Sequence, residues 1–190
     1  MHQDAVLKLF RESGALLEGH FRLSSGLHSG GYLQCALVLQ FPEFADALGH
    51  ALADRTRHMQ PTVVLSPALG GIVIGQEVGR ALGVRSIFVE RQDGKLALRR
   101  GFTLDASDRV LVVEDVITTG LSTRETIAAA EALGALVTGA AAIVDRGSDP
   151  ARLNLPMQAL VRLEVPTYAA EDCPLCAKGI PVVKPGSRAS

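Results

Sequence analysis

The chain has no tryptophan, and aromatic residues make up only 4% of its 190 positions. Surfaces that hold single-stranded nucleic acid need aromatic platforms for the bases, so no such surface is expected. Charge of one sign is also missing. Nineteen Lys and Arg stand against twenty Asp and Glu, a net charge of -1, so no global field draws in nucleic acid or an anionic membrane, and any basic site must be local. Three cysteines, an odd number, argue against a disulfide framework and for a reducing compartment. No run approaches the roughly 18 apolar residues of a membrane span, and the start, Met1 to Ala5, has no basic segment leading into an apolar core. The expectation is a cytoplasmic protein with neither a membrane nor a nucleic-acid partner. A chain of this length forms one domain burying about 70% of its unfolded surface. Residues 1–190 are accordingly read as one domain, with small appendages at about 1–40 and about 150–190. No internal repeat or low-complexity segment is present.

What is present is concentrated between Arg109 and Ser122. Val110 to Val113 is an unbroken aliphatic run, as in a parallel strand buried on both faces, and it ends in two acids, Glu114 and Asp115. Val116, Ile117, Thr118, Thr119, Gly120, Leu121 and Ser122 follow, and then Ile127, Ala130 and Leu133 at helical spacing. Ser122 with Glu125 three residues on has the form of a capping box. A helix N-terminus exposes free N–H groups at the positive end of its dipole and attracts an anion such as phosphate. The acids upstream would repel that phosphate. They suit instead a sugar diol, a cation or a developing positive charge, and a phosphorylated ribose offers both ends. The alternative is an ordinary strand-to-helix turn with solvated acids. Other phosphate loops do not fit: Gly70 and Gly75 have Walker A spacing, but Gln76 replaces the lysine, and no G-x-G-x-x-G occurs.

The rest of the chain arranges itself around this stretch. Val6, Leu7, Phe10 and Leu17 suggest a helix over 4–17, Gly19 to Gly31 is a Ser- and Gly-rich loop, and Tyr32 to Leu39 has strand character. Pro42 opens a helix to about residue 59. Val63 to Leu65 is a short strand leading through Leu69, Gly70 and Gly71 into a further helix ending near Leu82, and those glycines either make a tight turn or form a nest for an anion. After a strand at 85–90 the chain turns basic, with Arg91, Lys95, Arg99 and Arg100 against Asp93. That segment is either a mobile cationic clamp or a solvated hairpin. Ala140 to Val144 is another buried strand ending at Arg146, which either pairs with an acid or grips a ligand carboxylate through two parallel hydrogen bonds. Leu160 to Leu163 is a weaker strand. Cys173 and Cys176 form half of a zinc knuckle, and only Cys35 is left among the cysteines to extend the set, so bound zinc is not expected. Strands near 33–38, 62–66, 85–90, 109–114 and 139–144 with helices between most of them predict a doubly wound, largely parallel α/β sheet flanked by helices.

The stretch from Glu114 to Ser122 resembles the ribosyl-phosphate signature of the type I phosphoribosyltransferases, and the resemblance extends over about residues 15–150. Phe21, Leu23, Ser25 and Gly26, with Ser29 and Tyr32 beyond, are similar to the N-terminal hood of the orotate-using members. This implies a glycosyltransferase that moves the phosphoribosyl group of phosphoribosyl pyrophosphate (PRPP) to orotate, giving orotidine 5′-monophosphate and pyrophosphate in pyrimidine biosynthesis. The alternatives are a purine phosphoribosyltransferase and a non-catalytic nucleotide sensor. By the same resemblance Arg91, Lys95 and Asp115 are catalytic, PRPP also meets Glu114, residues 116–122, Leu69 and Gly70, and orotate meets Phe21, Thr118 and Arg146. Mg2+ would arrive on PRPP rather than on protein side chains, and a homodimer would share its active sites. The chain departs from the pattern in three places. Ser24 and Gly70 stand where many members have lysine, and no histidine falls between residues 91 and 101.

Overall fold

The computed structural model describes residues 1–23, 25–147, 149, 153–163 and 165–184. Helix α1 (Gln3–Glu12) buries Val6 and Phe10 and stops at Ser13 because Gly14 takes φ 69°, a left-handed conformation that suits glycine. It is therefore shorter than the expected 4–17, and Leu17 belongs to strand β1 (Leu16–Arg22). Strand β2 (His28–Leu33) pairs antiparallel with β1, and helix α2 (Cys35–Leu39) follows at once. The expected strand at 33–38 is thus a helix. Its apolar residues Cys35, Val38 and Leu39 recur at helical spacing and all are buried. Helix α3 (Pro42–Thr56) closes with a single tighter turn at Arg57–Met59.

The main sheet then builds outward from β3 (Val63–Pro67), through α4 (Gly70–Leu82) to β4 (Arg85–Gln92) and the antiparallel β5 (Lys95–Leu98). The chain returns to the other side of β3 with β6 (Arg109–Ile117), passes through α5 (Leu121–Glu131), and continues with β7 (Leu136–Asp145) and β8 (Met157–Arg162). The order is β5-β4-β3-β6-β7-β8, with every strand parallel except β5. This is the doubly wound arrangement expected. The direction of winding reverses between β3 and β6, and in such sheets ligands bind outside the carboxyl ends of strands at that reversal. Both ends there carry stretches the sequence singled out.

Side chains alternate across the buried strands. Val64, Leu111, Val113, Ala141 and Ile143 pack under α1, α3 and α4, while Val63, Leu65, Val110, Val112, Ala140 and Ala142 pack with Ile127 and Ala130 of α5. Both faces are covered, which explains the continuous apolar runs. Leu133, expected on the apolar side of that helix, lies beyond its end and is exposed. Helix α4 lies close against the sheet because a Cβ at Gly71 would meet the Val113 carbonyl at 2.9 Å, and one at Gly75 would collide with Ser66.

A second sheet, β1-β2-β9 with β9 (Thr167–Tyr168), forms a hood. The chain after it makes one tight turn at Ala170–Asp172 and the short helix α6 (Pro174–Ala177). Val183 then rejoins β1, where the Arg22 N–H donates to its carbonyl and its own N–H donates to that of His20, both at 2.8 Å. No helix of the described residues is long and apolar enough to cross a membrane.

Candidate functional site

Strand β6 runs three residues past its expected end at 114, so Asp115 lies within it together with Glu114. Consecutive strand residues point to opposite faces, and the two acids part accordingly. Glu114 is 5% exposed and turns toward the start of α5, where Ser122 Oγ donates to Oε2 at 2.9 Å and Thr123 Oγ1 donates to Oε1. Asp115 turns toward the start of α4. Its Oδ1 accepts the Val116 N–H at 2.9 Å, and a Cβ on Gly70 would lie 2.7 Å from the carboxylate. Gly70 is therefore required where it is, with no room for a longer side chain while Asp115 keeps this position.

Burial pushes both carboxyls above their ordinary pKa. At Glu114 the hydroxyls of Thr123 and Ser122 pull the other way, and at Asp115 the backbone N–H does. Cys35 sits in the field of Asp115, and burial first and that carboxylate second push its thiol well up.

Beyond Ile117 the chain turns over Thr118 and Thr119, both exposed, to Gly120, whose φ of 75° swings it into α5. The expected capping box is not formed. Gly120 is the N-cap, Ser122 is inside the first turn and bound to Glu114, and Glu125 pairs with Arg91 at 2.7 Å. Gly120 has no side chain to cap the terminus, and the Leu121 N–H reaches Thr119 Oγ1 only at 3.4 Å, a long contact that an external acceptor can replace.

Arg146 comes beside this turn through strand register. Ile117 pairs with Asp145, and the Arg146 N–H donates to the Ile117 carbonyl at 2.8 Å. Thr118, Thr119 and Arg146 line a half-open cavity of about 540 Å³, bordered on the hood side by Leu23, Ser25, Leu27, Tyr32, Leu33, Val165 and Thr167. Among the described residues no acid pairs with the Arg146 guanidinium, and partial burial draws its pKa down. A half-buried, unpaired guanidinium in a cavity is a receptor for a carboxylate. Phe21 does not line this cavity; it is buried behind Tyr32, ring centroids 5.9 Å apart. Ser24 lies outside the described residues. A second cavity, about 360 Å³, joins Asp115, Leu69 and Gly70 to Gln34, Leu39 and Val73.

The basic segment is a hairpin. Asp93 (φ 50°) and Gly94 (φ 82°) are both left-handed, as a two-residue turn between twisted strands requires, and Gln92 pairs with Lys95. Arg99 and Arg100 are occupied by Glu90, and Arg91 by Glu125. Lys95 lines a third cavity with Leu96, Glu125, Ala128 and Ala129, separate from the one over Asp115. The structure therefore assembles Asp115, residues 116–122, Leu69, Gly70 and Arg146 around the winding reversal, while Lys95 lines a different cavity and Arg91 is tied to Glu125 on the wall of that cavity.

Sequence reasoning missed the hood residues Leu27, Val165 and Thr167, whose one signal was position in a polar loop or tail. It also missed how the cysteines are placed. Cys35 is on α2, far from completing a set, and His20 and His28 instead face Cys173 and Cys176. Counting cysteines alone could not show this, because the histidines belong to strands 145 and more residues away.

Comparison with known proteins agrees with this geometry. A family model described as a phosphoribosyl transferase domain matches residues 37–157. The chain is 51% identical over 188 residues to an orotate phosphoribosyltransferase of Pelotomaculum thermopropionicum, covering 99% of each chain. It is 50% identical over 190 residues to one of Chlorobaculum parvum, covering 100% of this chain and 98% of the relative. In fold it is similar to Mycobacterium tuberculosis orotate phosphoribosyltransferase solved in complex with 5-phospho-alpha-D-ribosyl 1-diphosphate, with a TM-score of 0.69 and 24% identity over 85% of this chain and 96% of that one.

Proposed function

This chain belongs to the phosphoribosyltransferases, in their orotate-using branch, and from that premise we propose how its residues perform the transfer of the phosphoribosyl group from PRPP to orotate. The observation that carries the reading is the α5 terminus, held by no more than the long Leu121–Thr119 contact, with Asp115 on one side and unpaired Arg146 on the other.

The 5′-phosphate docks on the N–H groups of residues 118–122, where helix dipole and free donors coincide. Asp115 faces the ribose hydroxyls and stabilises the positive charge that develops at C1 as pyrophosphate departs. Glu114 acts first on the loop. It exchanges the Ser122 hydroxyl for a ribose hydroxyl on binding, which frees Ser122 for the phosphate while Thr123 keeps its place. Arg146 holds the orotate carboxylate and Thr118 the ring edge, so that the ring nitrogen faces C1. Leu69 and Gly70 leave room for pyrophosphate beside Asp115. Mg2+ brought by PRPP is a hard cation that takes carboxylate and phosphate oxygens, and Asp115 would offer it a carboxylate in the cavity that Leu69 and Gly70 also line. When bound, it would neutralise charge on the leaving group.

Arg91 and Lys95 serve the leaving group from a neighbouring copy. Lys95 lines a cavity other than that of Asp115, Arg91 is tied to Glu125 on the wall of the Lys95 cavity, and exposed Leu69 and Val73 give the Asp115 cavity an apolar rim for a partner. A homodimer with shared sites follows. Hood, sheet and tail act as one unit, because Tyr32 and Arg146 line a single cavity.

The test follows release of pyrophosphate and formation of the matching nucleoside 5′-monophosphate from PRPP with orotate, hypoxanthine or adenine, in wild type and in an equimolar mixture of Arg91→Ala and Asp115→Asn chains. Turnover of orotate alone, and recovery of activity in the mixture above either variant by itself, are expected. Turnover of a purine without orotate would overturn the substrate assignment, and a mixture no better than its parts would overturn the shared site.

A further inference from the structure

The hood and the C-terminal turn meet at four side chains that phosphoribosyl transfer does not use. His20 on β1, His28 on β2, and Cys173 and Cys176 around α6 place one ligand-capable atom each within 4.8 Å of all the others. His20 Nε2 is 2.9 Å from His28 Nδ1, 3.5 Å from Cys173 Sγ and 3.8 Å from Cys176 Sγ, and Cys176 Sγ is 3.3 Å from His28 Nδ1. Zinc bound at about 2.0–2.1 Å to nitrogen and 2.3 Å to sulfur sets tetrahedral ligand edges of roughly 3.3 Å between nitrogens, 3.6 Å from nitrogen to sulfur and 3.8 Å between sulfurs. The four separations given stand close to those edges, and every other pair lies within 4.8 Å.

The histidine tautomer agrees. His20 Nδ1 lies 2.7 Å from the Ile180 carbonyl, which can only accept, so Nδ1 carries the ring proton and Nε2 presents a lone pair to the cluster. Metal-bound histidines are oriented by this kind of outer hydrogen bond. The β1 strand makes the approach possible. Its register shifts between Glu18 and Phe21, and both His20 and Phe21 are buried although they are neighbours.

We propose that His20, His28, Cys173 and Cys176 hold one Zn2+ in a closed tetrahedral site. Two thiolates and two imidazoles match zinc in softness and geometry rather than Mg2+, and binding releases the two thiol protons. Four protein ligands leave no open position, so the ion is structural. It joins α6 to a three-stranded hood, one strand of which is only two residues long, that would gain little stability from its own core. The loop between β1 and β2 carries Leu23, Ser25 and Leu27 into the cavity beside Arg146. The zinc therefore fixes the base of that loop from behind.

The test uses untagged full-length protein purified without chelators and does not depend on activity. Elemental analysis should find zinc near one per chain, retained on dialysis and released by a thiol-specific mercurial. Cobalt exchanged into the wild type should give the intense visible bands of a tetrahedral ion together with thiolate-to-metal charge transfer. Cys176→Ser and His28→Ala should each lower the zinc content and lose those bands. A wild-type protein with background zinc, a cobalt spectrum of six-coordinate type without the sulfur band, or a Cys173–Cys176 disulfide in protein prepared anaerobically would each overturn the site. The wild-type measurements decide the matter even if a variant does not fold.

Discussion

The hydroxyl of Thr123 donates to a buried carboxylate, and removing it tests whether Glu114 is held as described. Thr123→Val keeps the shape and deletes one charge-assisted hydrogen bond, leaving Glu114 with the 2.9 Å bond from Ser122. Hydrogen bonds to a charged group contribute about 1.5–3 kcal/mol. In a chain of this length each kcal/mol moves the melting temperature by about 2–4 °C, so the variant should melt roughly 3–12 °C below wild type at neutral pH. The deficit should also depend on pH. Burial raises the Glu114 pKa in the folded state while the two hydroxyls oppose the rise, so losing one sends it higher still. For such a group the cost of burying the charged form is fully present above the folded pKa and fades as pH falls through it. The gap between variant and wild type should therefore narrow on acidification. Thermal unfolding across pH measures this, and a gap absent at neutral pH, or constant over the whole range, would refute the reasoning.

Asp115→Asn removes a carboxylate whose pKa burial raises, so it should melt above wild type at neutral pH while kcat falls about 10²–10³-fold with the loss of one charge-stabilising group; calorimetry and steady-state kinetics read the two effects. Arg146→Lys keeps the charge but loses the planar fork, and it should raise KM for orotate about ten- to a hundredfold with KM for PRPP nearly unchanged. Gly70→Ala sets a Cβ 2.7 Å from the Asp115 carboxylate, which must shift; kcat should fall while the circular dichroism spectrum stays that of wild type.

The central strands are legible in the sequence because each is buried on both faces. Val63 to Leu65 and Val110 to Val113 can be nothing else once the turns around them are recognised. The phosphate turn is legible for a related reason, since hydroxyls, a glycine and a helix start are local features. What depends on distant partners is not. The residues from Cys35 to Leu39 have the composition of a strand, and packing against α3 and α4 makes them a helix. Ser122 and Glu125 match a capping box, yet Glu114 and Arg91 claim their side chains. The basic segment reads as loop or hairpin until Asp93 and Gly94 both adopt positive φ. Placement of Arg91 and Lys95 away from Asp115 is likewise a property of the sheet order, which no short window contains.

Titration of isotopically labelled protein with ribose 5-phosphate, followed through backbone amide resonances, tests the site most directly. The amides of residues 118–122 should shift most, with smaller changes near Asp115 and Gly70. Silence at that turn, with saturable shifts confined to another surface, would contradict the account.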